Sequence, residues 1–164
     1  MANIQSHINR IAYNKLNGKQ KELFNFQKIA ATFADYGLNC IKLADDWQGA
    51  DFLAYNPSDT STLKVQLKSR LTISKKYCDK GLWIAFPYEG YWYVIEHDSL
   101  IKKVGVKTPW LDSPSWKDKG GYSSANISQG LLEILIEDRL GKVYGHLLDT
   151  ESSSSSDDPL IALN

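Results

Sequence analysis

The sequence predicts an α+β or α/β sandwich in which helices flank a small mixed β-sheet, and three observations carry that expectation. The periodicities run helix, then a cluster of short strands, then helices. LKVQLKSR, residues 63–70, alternates apolar and polar positions without a break, as a strand with one buried face does. LWIAF, residues 82–86, has no polar parity at all, so both faces of its part of the sheet should be covered.

The elements follow in order. Asn17 to Gly37 reads as a helix, with Asn17 as cap, Gly37 as stop, and Phe26, Ile29, Ala30 and Phe33 as an apolar stripe. NCIKLA, ADFLAY and TLKVQLKSR are strand candidates, and Asn56, Pro57, Ser58 and Asp59 supply the turn of an antiparallel hairpin between the last two. GLWIAFPYEGYWYVIEH adds two strands around Glu89-Gly90, and Asp98 or Ser99 can cap a short helix over LIKKVG. Residues 107–122 read as a loop with packed aromatics. A second helix is expected from about Ser128 to Leu140, with Ile127, Leu131, Ile134 and Leu135 buried. GKVYGHLL, starting at Gly141, fits strand or helix. One domain is expected over residues 1–148, and TESSSSSDDP places a low-complexity, mobile tail at 149–164.

Composition narrows the functional classes. The chain has 164 residues, 43% of them apolar, which suits one core. No apolar run approaches the roughly 18–20 residues of a membrane span, and MANIQSHINR lacks a signal-peptide core, so a cytoplasmic location without a membrane partner is expected. Cys40 and Cys78 lack ligand spacing and are expected as reduced thiols. There is no P-loop and no G-x-G-x-x-G, and His7, His97 and His146 lie far apart. His97, beside Asp98, reads as a strand-end residue next to a helix cap.

The net charge is zero but unevenly spread. Residues 133–164 hold seven acids against Arg139 and Lys142, whereas residues 64–80 carry Lys64, Lys68, Arg70, Lys75, Lys76 and Lys80 against Asp79 alone. Such a run is either a solvated loop or a surface for a polyanion.

Four charged or polar positions stand out against this frame. Glu22 lies four residues before Phe26 and seven before Ile29, which puts a carboxylate on the apolar stripe of the first helix, where it is either a helix-dipole partner or a site residue. Asp51 opens the strand DFLAY, and by itself is also at home as a turn aspartate. Fifteen residues later comes Gln66-x-Lys68, which a hairpin about Pro57 to Thr60 brings close to Asp51.

Glu22 in KELFNFQKIAATFADYG, Asp51 in GADFLAY, and Gln66 and Lys68 in KVQLKS together resemble the PD-(D/E)XK nuclease superfamily. The resemblance covers about residues 18–97, and SRLTISKKY with the following strands looks like small bacterial members of that group. Ala50 stands where the motif has proline, and Gln66 stands where it has a second acid.

The resemblance implies a restriction-endonuclease-like core and a metal-dependent nuclease that hydrolyses DNA as an endonuclease, with DNA as partner and Mg²⁺ or Mn²⁺ as cofactor. Such chemistry needs a hard cation on oxygen ligands to neutralise charge and acidify water. Asp51 is then the main ligand, with Gln66, Glu22 and the Leu67 carbonyl as further ligands. Lys68 orients the attacking water and stabilises the charge that develops in the transition state. Arg70, Lys75, Lys76 and Lys80 are the expected backbone contacts. A homodimer or higher homo-oligomer is one way to cut both strands with one site per chain. Two alternatives stay open: a non-catalytic nucleic-acid-binding module, and an oligomeric interaction protein in which Gln66 and Lys68 are merely solvated.

Overall fold

A computed structural model describes residues 3–4 and 7–143 of the chain. The part of GKVYGHLL beyond Val143, His146 and the 149–164 tail lie outside the described residues. Helix α1 (Gly18–Ala34) opens the fold. The side chain of Asn17 accepts the Gln20 N–H at 2.9 Å while that of Gln20 accepts the Asn17 N–H at 2.9 Å, a reciprocal cap that satisfies two donors of the first turn. Strands β1 (Asn39–Trp47), β2 (Ala50–Tyr55) and β3 (Thr62–Leu67) then form an antiparallel meander. Gln48 and Gly49 connect β1 to β2 with φ of +56° and +92°. A two-residue hairpin loop with positive φ at both positions favours glycine, and a Cβ at Gly49 would also stand 2.7 Å from Leu82.

Strand β4 (Leu71–Ser74) leaves the main sheet, and a single 3₁₀ turn at Lys75–Tyr77 leads to β5 (Leu82–Tyr88), which pairs parallel to β3. Glu89 and Gly90, with φ of +45° and +79°, turn the chain into antiparallel β6 (Tyr91–Glu96). Helix α2 (His97–Lys107), the short α3 (Pro114–Lys117), β7 (Gly121–Ser124), α4 (Gln129–Leu135) and β8 (Arg139–Lys142) follow. The main sheet has the order β1-β2-β3-β5-β6-β8, and β4 pairs with β7 in a separate two-stranded sheet.

The expected class, a mixed sheet flanked by helices, is the one observed. LWIAF is covered on both sides as its composition requires. Ala85 packs with Val65, Phe52, Ile29 and Phe33 toward α1, where Phe52 meets Phe26 and Phe33 edge-on at 5.3 and 6.0 Å. Ile84 and Phe86 pack with Leu71, Ile73, Leu100, Val104 and Leu131 on the opposite side, under β4, α2 and α4.

Four element readings need correction. The strand expected through Arg70 ends at Leu67, and residues 71–74, outside the expected strands, form β4. The helix expected from Asp98 or Ser99 starts at His97 with Glu96 at the cap position and no side-chain cap bond. The Ser99 hydroxyl instead donates to Glu96 at 2.7 Å. The loop over 107–122 contains α3 and the start of β7. The helix expected to reach Leu140 stops at Leu135, because Arg139 and Leu140 complete the sheet edge against β6. No helix among the described residues is long and apolar enough to cross a membrane.

Candidate active site

The β2–β3 register sets Phe52 opposite Val65, so the next rung outward sets Asp51 opposite Gln66. At that rung the Gln66 side-chain amide donates to Asp51 Oδ2, and the backbone N–H of Leu67 donates to the same oxygen at 2.8 Å. Oδ1 has no hydrogen bond among the described residues. Gln66 itself is only 6% exposed, so the polar parity of LKVQLKSR is not simply a wet face. One residue on, the Lys68 N–H donates to the Ala85 carbonyl at 2.8 Å, which extends the β3–β5 pairing past the end of β3 and fixes where the Lys68 side chain begins.

Asp51, Leu67 and Lys68 line a cleft of about 310 Å³ together with Glu22, Asn25 and Lys42. Tyr13 and Phe26 lie in the same wall. Burial pushes the Asp51 carboxyl above its ordinary value, against the opposing pull of the Leu67 N–H, Lys68 and Lys42. Glu22 was expected on the sheet-facing stripe. It lies instead at the rim, 59% exposed, in an ion pair with Lys42 Nζ at 2.7 Å that holds its carboxyl below the usual range. The buried stripe of α1 consists of Asn25, Ile29, Thr32 and Phe33, and Glu22 lies outside it. Asn25, one turn further along, is buried instead, its amide donating to the Tyr13 hydroxyl at 2.8 Å and its Oδ1 without a hydrogen-bond partner among the described residues.

The basic residues separate into different environments. Arg70, Lys76 and Lys80 are exposed. Lys75, also exposed, donates to the Lys117 carbonyl at 3.0 Å and lies 5.7 Å from the Trp116 ring centroid, so it ties the 3₁₀ turn to α3. Lys42, Asn25 and Tyr13 escaped the sequence reading. Lys42 looks like any solvent-side strand lysine, and only its position across the cleft from Glu22 reveals it.

Away from the cleft, Cys78, His97 and Asp98 bring possible ligand atoms within 4.8 Å of one another. Cys78 lies nineteen residues before His97, which concealed its proximity to the adjacent His97 and Asp98. His97 is 1% exposed, and its Nε2 accepts the Ser74 N–H at 3.1 Å. A neutral imidazole with an accepting Nε2 must carry its proton on Nδ1, and Nδ1 faces Asp98 Oδ1 at 3.5 Å. In that tautomer the nitrogen facing the cluster has no lone pair for a cation. Both cysteines are free thiols, and burial raises the pKa of each, that of Cys40 to about 11. The cluster therefore serves as a structural tie between β4, the turn at Cys78 and the start of α2.

No family model matches the chain, and no curated protein matches it. Among solved structures, Hjc, a Holliday junction resolvase from the archaeal hyperthermophile Archaeoglobus fulgidus, is similar to 48% of this chain over 74% of its own, with 13% identity and a TM-score of 0.39. A likeness at that level carries no argument about activity.

Proposed function

We propose that the chain is a divalent-metal-dependent nuclease that hydrolyses DNA phosphodiester bonds, as an endonuclease acting in the cytoplasm. The observation that carries the reading is the convergence of Asp51, Glu22 and Lys68 on one cleft, with Gln66 directly behind Asp51. The donor set fits Mg²⁺ or Mn²⁺, because Asp51 Oδ1, the Glu22 carboxylate and the Leu67 carbonyl are hard oxygen ligands and a cation of this kind keeps several waters. Gln66 joins as a ligand when its terminal amide turns its oxygen forward, and otherwise holds Asp51 in place. A metal bound there supplies a Lewis acid for the phosphoryl oxygen and lowers the pKa of a bound water.

The chain's own groups do the rest. Two N–H donors on Oδ2 orient the Asp51 carboxylate so that Oδ1 faces outward. Lys68, fixed at its backbone by Ala85, orients the attacking water and stabilises charge on the phosphate in the transition state. Arg70, Lys75, Lys76 and Lys80 contact the flanking backbone. The described residues form one such cleft, so cutting both strands takes a homodimer or two successive nicks.

The test is incubation of purified protein with plasmid, linear duplex and single-stranded DNA, with and without Mg²⁺ or Mn²⁺. Metal-dependent cleavage that disappears in Asp51→Ala and falls in Lys68→Ala supports the reading. Metal-independent binding without cleavage under every condition moves it to the non-catalytic binding module.

A further inference from the structure

A second groove begins where the cleft ends. Lys68 borders both, and the second groove, also of about 310 Å³, runs from Lys68 over the small β4–β7 sheet past Thr72, Lys76, Ser115, Tyr122 and Ser123. Its wall contains two lysines and four side-chain hydroxyls on serine and threonine, and no carboxylate.

The two ammonium groups are the unusual feature. Lys68 Nζ stands 5.4 Å and Lys76 Nζ 4.8 Å from the centroid of the same Tyr77 ring. Tyr77 is 2% exposed and packs edge-on against His97 at 5.6 Å, so the ring is a fixed platform. Neither lysine has an ion-pair partner among the described residues. Two ammonium groups held against one ring present positive charge to the groove. Ring contact leaves the N–H donors of both groups available to a ligand.

The hydroxyls add directed donors. The β4–β7 register sets Thr72 opposite Ser123, and their hydroxyl oxygens lie 3.0 Å apart. Thr72 also lies 3.1 Å from the Arg70 carbonyl. When Thr72 donates to Ser123 in place of that carbonyl, the Ser123 proton is free for an outside acceptor. Ser74 and Ser115 donate to the Gly120 and Gly121 carbonyls, at 3.2 and 2.7 Å, which holds β7 in place without using the groove's mouth.

We infer that this groove is a phosphate-binding subsite, formed by Lys76 and the Thr72–Ser123 hydroxyl pair, that takes the phosphodiester strand next to the phosphate held in the cleft. The inference rests on the nuclease reading for the strand's role, but the anion site itself needs neither metal nor cleavage. A nucleic acid fits better than an acidic peptide because the groove is continuous with the cleft at Lys68 and because hydroxyl and ammonium donors match the unesterified oxygens of successive phosphates.

The test is fluorescence anisotropy of a fluorescein-labelled duplex oligodeoxynucleotide in EDTA, as a function of salt. Lys76→Gln should weaken binding on the order of fivefold near 0.1 M salt and lower the salt slope by about one, as loss of a single phosphate contact does. Ser123→Ala should weaken it less and leave the slope unchanged. Lys102→Gln, an exposed lysine on α2, should bind as the parent does. The inference is overturned if Lys76→Gln binds like the parent, if Lys102→Gln loses as much, or if polyglutamate of equal charge displaces the duplex as well as unlabelled DNA does. Groove-dependent binding in a protein that cuts nothing with Mg²⁺ or Mn²⁺ would sink the nuclease reading and leave the subsite standing. Metal-dependent cleavage with unaltered binding by Lys76→Gln would do the reverse.

Discussion

Gln66 donates its side-chain amide to Oδ2 of Asp51 from the opposite strand of a hairpin, and the Leu67 N–H reaches the same oxygen at 2.8 Å. A carboxylate oxygen that accepts two donors is held in orientation and has little capacity left for a cation, so any metal is directed to Oδ1. The glutamine thus has a definite role in the metal-free protein: it partners a half-buried charge that would otherwise face the burial cost with fewer donors.

The first prediction uses that balance. Burial raises the Asp51 carboxyl above its ordinary value despite its partners, so the ionised form weakens the fold relative to the neutral one. Asp51→Asn keeps an acceptor for Gln66 and Leu67 and removes the charge. It should melt at the same temperature as the parent or slightly higher in EDTA, lose cleavage, and show no melting shift on adding Mg²⁺. Scanning calorimetry with and without the ion checks this, and a variant that melts well below the parent would contradict the account of Asp51.

Lys42 gives the second. Its ammonium holds Glu22 at 2.7 Å, so a metal that recruits Glu22 must compete with it. The pair is largely exposed and worth little to the fold. Lys42→Ala should therefore leave the melting temperature almost unchanged and tighten Mg²⁺ binding by about two- to fivefold, the scale of an exposed ion pair. Isothermal titration that finds weaker binding would mean that Lys42 supports the site by other means.

How far the site was legible follows from these residues. Alternation and turn chemistry brought Asp51 close to Gln66, and the register that buries Phe52 and Val65 sets the two on one rung. The Asn17 cap and the Glu89-Gly90 turn were visible for the same local reason. Lys42 and the rim position of Glu22 were not, since helical spacing gives the face of a residue on α1 but not how far the sheet extends beneath it. The β4–β7 sheet was hidden because its strands are four residues each and separated by some fifty positions, too short for periodicity and too far apart for turn signals.

His97 supplies the third prediction. Burial pushes its pKa below the ordinary 6.5, against the opposing influence of Asp98 and Glu96. The unfolded chain then takes up the proton first as pH falls, so stability is fully present above about pH 6.5 and declines below it until the folded protein also protonates. The slope in that interval is at most roughly 1.4 kcal/mol per pH unit. His97→Gln retains an acceptor for the Ser74 N–H and should flatten the melting profile below pH 6.5 relative to the parent. Parallel profiles would show that His97 does not titrate differently on folding.

The last prediction concerns Gln66 again. Gln66→Glu places a second carboxylate at 6% exposure against the Asp51 oxygen that now receives an N–H, replacing a donor with a like charge. Without metal, one of the two must hold a proton well above the usual carboxylate range or remain ionised at a cost of about 2–4 kcal/mol. On a chain of this length that corresponds to a fall in melting temperature on the order of 10 °C. Mg²⁺ reverses the sign, because an ionised oxygen is a stronger ligand for a hard cation than an amide, and a ligand that binds only the folded state stabilises with the logarithm of its occupancy ratio. The variant should therefore melt below the parent in EDTA, gain more from added Mg²⁺ than the parent does, and lose that extra gain when Asp51→Asn is combined with it. A Gln66→Glu protein destabilised in EDTA but gaining no more from Mg²⁺ than the parent would show that the Asp51–Gln66 rung is an internal hydrogen bond and not part of a metal site.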